Sequence, residues 1–124
     1  MNARLINMKK IILITLIAFF CFEAKTDEIK DIELSAELLA FAEYGSKSSW
    51  SESDVIRVER MVSEFSDPDL KEIWISNVIT YALIGNLPKY PSSTMCKIAK
   101  RNILKLRDKE LKSLWDLNYG LYGC

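Results

Sequence analysis

Along most of this chain, apolar and polar residues alternate with the period of a helix. Val55, Val58, Val62 and Phe65 fall on one face, and Arg57, Glu59, Arg60 and Glu64 fill the other. That pattern predicts an amphipathic helix running to about Phe65. Ser51 is placed to cap it. Asp54, three residues on, completes a short capping box, and Trp50 with Val55 forms a hydrophobic staple. Asp67, Pro68 and Asp69 write a second start: a capping carboxylate, a proline at the first helical position, and an acid near the positive helix end. The helix that follows runs to about Ile84. From Ile73 onward only Ser76, Asn77 and Thr80 are clearly polar, so it is expected at the centre of the fold.

Three more helices follow from the same pattern. One runs from about Glu28 to Tyr44, with Ile29, Ile32, Ala36 and Leu39 spaced to face a core. Leu34, Leu38, Phe41 and Ala42 widen that stripe, and Gly45 stands where a terminating residue is wanted. Another runs from Ser93 to about Leu106 and buries Met95, Ala99, Asn102, Ile103 and Leu106. The last is capped by Asp108 and runs to about Tyr122, with Leu111, Leu114, Trp115 and Asn118 on one face. The expected fold class is all-α, with about five helices.

The helices repeat. Asp67, Leu70, Lys71, Ile73, Trp74, Asn77 and Tyr81 recur 41 residues later as Asp108, Leu111, Lys112, Leu114, Trp115, Asn118 and Tyr122. The same shift carries Ser51 to Ser92, and Val58, Val62 and Phe65 to Ala99, Ile103 and Leu106. The unit is a pair of helices joined by an Asp-led turn. It covers about residues 52–85 and, imperfectly, 93–124, and the helix before it is an unpaired element of the second kind. A period of this length belongs to stacked helical hairpins, in which neighbouring units complete each other's core.

The N-terminus changes the picture. Arg4, Lys9 and Lys10 precede a 12-residue apolar run from Ile11 to Phe22. This reads as a secretory signal peptide over residues 1–24, with cleavage after Ala24. Met8 also suits a start, so translation begins at Met1 or Met8. Residues 25–124 then form a single helical domain with no transmembrane segment, exported to the periplasm or secreted. That part holds 14 basic and 16 acidic side chains, a balance that does not point to nucleic acid. Its two cysteines, Cys96 and Cys124, are expected to form a disulfide. The chain has no histidine, which removes the commonest general base and metal ligand. No cofactor and no metal are expected.

Asp67-Pro68-Asp69-Leu70-Lys71, with Ala82-Leu83-Ile84-Gly85 downstream, resembles the turn and second helix of a HEAT-type repeat. The resemblance implies a right-handed α-α superhelix and a scaffold that binds proteins. The second copy departs from it, with Lys109 in place of the proline.

Two surfaces are candidates for such binding. Trp74, Asn77 and Tyr81, and their repeats Trp115, Asn118 and Tyr122, share a helix face. That face is either core packing or a ladder for peptides, similar to the Trp and Asn ladder of armadillo arrays. Lys97, Lys100, Arg101 and Lys105 form a basic stripe. It is either a docking patch for an acidic partner or a solvated face balanced by Glu52, Glu59 and Glu64. A carboxylate-dependent hydrolase would have to draw on Glu37, Glu43, Glu59 or Glu64. The favoured expectation is a non-enzymatic exported protein that binds a protein partner, in the general format of periplasmic immunity proteins and enzyme inhibitors. The alternative is an envelope adaptor that binds peptides through the Trp/Asn/Tyr face.

Overall fold

The computed structural model describes residues 26–43 and 49–124, and the expected signal peptide and Gly45 lie outside them. The described residues form five helices and no strand. Helix α1 spans residues 26–43, α2 Glu52–Val62, α3 Pro68–Ile84, α4 Ser93–Ile103 and α5 Lys109–Leu121. Helices α2 and α4 stop about three residues earlier than the apolar pattern alone predicts. Phe65 and Leu106 remain buried, but in the turns that follow.

Each start is made by its own side chain. Ser51 and Asp54 close a complete capping box on α2. Asp67 accepts from the Asp69 and Leu70 N–H groups, and Asp108 accepts from those of Glu110 and Leu111, 41 residues on. Ser92 caps α4 through the Met95 N–H, and its hydroxyl donates to Glu52. These bonds satisfy donors that a helix start leaves orphaned.

Helix α3 is the centre. It packs on α2 and α4, while α4 also meets α5 and α2. Its buried residues are Trp74, Ile75, Val78, Ile79, Ala82 and Leu83. Val55, Val58 and Val62 of α2, with Ile98, Ala99 and Ile103 of α4, close the core around it. Gly85 ends α3 in a right-handed conformation, so its need for glycine is spatial: a Cβ there would lie 2.9 Å from Trp50 Cδ1. Trp50 in turn stacks flat on Tyr81, ring centroids 4.2 Å apart.

Helix α1 turns inward only one side of the broad apolar face its spacing predicts, the side of Leu34 and Leu38. Asp31, Leu34 and Leu38 are buried, whereas Ile29, Ile32, Ala36 and Leu39 are exposed. Asp31 explains the choice. Its two carboxylate oxygens accept the Ser66 and Asp67 N–H groups, each at 2.8 Å, and so hold the turn between α2 and α3. Glu72 repeats this 41 residues later, accepting from the Arg107 and Asp108 N–H groups in the turn between α4 and α5. The period read from the sequence therefore recurs as a carboxylate on α1 holding the α2–α3 turn and one on α3 holding the α4–α5 turn. The equivalent position in α5 is Ser113.

Helix α5 has no fully buried residue. Leu111, Trp115, Tyr119 and Tyr122 pack half-buried against the core, while Leu114 is exposed, contrary to its expected place on the inner face. A Cys96–Cys124 disulfide, Cα atoms 5.6 Å apart, ties the residue beyond α5 to the first turn of α4.

Candidate functional site

The basic stripe lies on α4, with Lys105 in the turn that follows, and is exposed, but half of it is engaged within the chain. Arg101 forms a two-pronged pair with Glu59 of α2, through Nε and Nη2. Asn102, itself buried, donates to the same carboxylate and to the Ile98 carbonyl. Burial pushes the Glu59 carboxyl up, but hydrogen bonds from Arg101 and Asn102 and the charges of Arg101 and Lys105 outweigh it and hold it below the usual range. Lys100 lies 3.6 Å from Asp116 and over the Tyr119 ring. Among the described residues, Lys97 and Lys105 make no ion pair within 4.0 Å. Further along, Arg107 reaches Asp69 and Glu72. The Asp108 N–H, opposed by desolvation and joined by Arg107, lowers the Glu72 pKa.

The repeated Trp, Asn and Tyr positions divide between core and edge. Trp74 is buried and stacks parallel to Phe65. Tyr81 is half-buried against Trp50, and desolvation raises its phenol pKa. Trp115 is half-buried, and its indole N–H donates to Ser76 Oγ at 2.8 Å, joining α5 to α3. Asn118 donates to the Leu114 carbonyl within its own helix. Asn77 and Tyr122 are also half-buried. These side chains join helices as much as they face solvent.

The structure brings a different set to the surface. Ile32, Ile73 and Leu114 occupy equivalent positions of α1, α3 and α5, and are 61%, 59% and 58% exposed. One turn on lie Ala36, Asn77 and Asn118, and one turn further Leu39, Thr80 and Leu121. Leu39 and Leu121 are again exposed. Since Asp31 and Glu72 fix α1 and α3 identically against their turns, and Asp67 and Asp108 cap α3 and α5 identically, the three rows share one outer face of the odd-numbered helices. Exposed aliphatic side chains that recur at one position of three helices are a candidate docking surface, unlike ones scattered singly. Sequence reasoning missed the patch because it assigned these residues to the core. The 41-residue recurrence of Ile32 and Ile73, beside the paired carboxylates Asp31 and Glu72, was the signal that could have found it.

At the α1 end the face opens into a groove of about 830 Å³. Ile32, Ala36 and Leu39 form one wall, and Pro68 and Leu70 of α3 the other. A smaller hollow beside Leu114 and Leu117 lies at the equivalent place on α5.

The carboxylates considered for acid–base chemistry are dispersed. Glu37 and Glu43 lie on the exposed side of α1, Glu64 is exposed after α2, and Glu59 is held by Arg101 and Asn102. Among the described residues no group of three or more acidic or cysteine side chains is placed to hold a metal ion, and no helix is long and apolar enough to cross a membrane. No family model matches this chain, and neither a curated protein nor a solved structure matches it significantly.

Proposed function

We propose that this chain is an exported, HEAT-like array of helical hairpins that binds a protein partner through the outer face of α1, α3 and α5. The observation that carries the reading is the threefold recurrence of an exposed aliphatic residue at Ile32, Ile73 and Leu114. A repeat array gains an extended surface of this kind without any special loop, because each unit contributes one position to it. The format is that of an immunity protein or enzyme inhibitor, which works by covering a partner and needs no reactive group. The disulfide and the basic, apolar N-terminal segment support export.

A second reading rests on Lys97 of α4 and Lys105 just beyond it, which form no ion pair within 4.0 Å among the described residues and would attract an acidic partner. Site-specific photocrosslinking in the producing cells separates the two. A crosslinker at position 73 should capture one discrete partner, and one at position 97 should not. Capture from position 97 alone would move the site to α4. Substitution of Ile73 by Asp should abolish capture from a neighbouring reporter position such as 77, while circular dichroism stays unchanged.

A further inference from the structure

The groove between α1 and the start of α3 has a one-sided charge. Its lining is aliphatic where Ile32, Ala36 and Leu39 face Pro68 and Leu70. Four carboxylates line it, those of Asp27, Glu28, Asp31 and Asp67, and among the described residues no Lys or Arg does. Asp31 and Asp67 are each occupied by two backbone N–H groups. Asp27 and Glu28 lie exposed at the rim. From Ile32 to Leu39 the aliphatic lining runs along about 10 Å of α1, the rise of two helical turns.

We propose that this groove takes a cationic amphipathic helix of the partner, with aliphatic side chains against Ile32, Leu39 and Leu70 and a Lys or Arg beside Asp27 and Glu28. The charge of the rim selects the sign of the partner, and the two-turn lining selects a helix with apolar residues three and four apart. A second copy of this chain is a poorer occupant. The hollow beside its own exposed Leu114 and Leu117 is lined by Lys109 and Glu110 together, so it offers the acidic rim no net positive charge. The inference rests on the odd-helix face being the docking face, and it specifies what one end of that face accepts.

The test uses three synthetic 14-residue helical peptides with the purified chain: one of Leu and Lys, one of Leu and Glu in the same pattern, and one with Ser in place of Leu. Fluorescence anisotropy should show binding of the Leu/Lys peptide only, weakening as salt rises. Backbone amide shifts should cluster on α1 and at Pro68 to Leu70. Leu39→Asn should weaken binding about tenfold. The double variant Asp27→Asn/Glu28→Gln should weaken it about fivefold and flatten the salt dependence. Equal binding by the Ser/Lys or Leu/Glu peptide would overturn the proposal, as would shifts confined to α5. So would self-association of the chain, seen by sedimentation and abolished by Leu39→Asn, because a second copy would then be the occupant. If no peptide binds but crosslinks from position 73 persist, only this assignment falls. If those crosslinks fail, the docking face itself falls.

Discussion

The two hairpins carry nearly the same sequence signals and are buried very differently. In the first, α3 buries six side chains and its Trp74 is 5% exposed. In the second, α5 buries none fully, and the equivalent Trp115 reaches α3 through a hydrogen bond. Position in the stack decides this: α3 has a helix on each side, whereas in the described residues α5 has neighbours on one side only. A repeated residue therefore keeps its place but not its burial. Helix α4 is as well packed as α3, but α5 is held by other means, chiefly the Cys96–Cys124 bond, the Trp115–Ser76 hydrogen bond and the Glu72 carboxylate on the turn before it.

The sharpest test of that contrast is to truncate both tryptophans. Trp74→Ala should cost about 3–5 kcal/mol in chemical unfolding, and Trp115→Ala only about 1–2. Equal losses would show that burial does not separate the copies. Next in size, replacing Cys96 and Cys124 by Ser should cost about 3–4 kcal/mol, because the bond closes a 28-residue separation. Amide exchange should then show α5 losing protection before α3. A smaller loss, about 2–3 kcal/mol, is expected for Asp31→Ala, which strands the Ser66 and Asp67 N–H groups. Glu72→Ala, at a more open site, should cost less in the same assay.

Acid should act on the second hairpin selectively. In the folded chain Glu59 and Glu72 are held below the usual carboxylate range, so in the unfolded chain they take up protons first. The stability they confer is fully present above about pH 4.5 and disappears as pH falls through their folded values. Both carboxylates belong to the first hairpin and hold the second, so indole fluorescence at Trp115 should respond to acid before that at Trp74, followed with the other tryptophans replaced by Phe. The smallest stability effects are expected on the outer face. Ile73→Ser and Leu114→Ser should each change stability by less than about 0.5 kcal/mol, while removing partner capture. A larger loss would return these residues to the core.

Much of this fold could be read before any coordinates, and the reason is locality. Ser51, Asp67, Ser92 and Asp108 make bonds to residues two or three positions away, so their capping roles are written in short stretches of sequence. Val55, Val58 and Val62 lie on a helix with one apolar face, which leaves no choice of orientation. Helix α1 is apolar on two sides, and spacing alone could not say which turns inward. The answer came from Asp31, whose partners are 35 and 36 residues away. Likewise, the sequence left the basic stripe either a docking patch or a face balanced by Glu52, Glu59 and Glu64, because Glu59 lies 42 residues from Arg101 and only the stacking of α2 on α4 joins them. The candidate surface stayed hidden because an exposed Ile and a buried one look the same in a helical pattern.

The disulfide also sets how this molecule would bear a load. A pull applied at Cys124 enters the fold through sulfur at Cys96, so the tension path skips α5 and most of α4. The chain between the two cysteines, a sequence separation of 28, cannot be drawn out, which removes roughly 90–100 Å of extensible chain. Force would instead reach the ordered turns ahead of α4 and then α3, the best-packed helix. The least-buried helix is thus the one least exposed to stretching from that end.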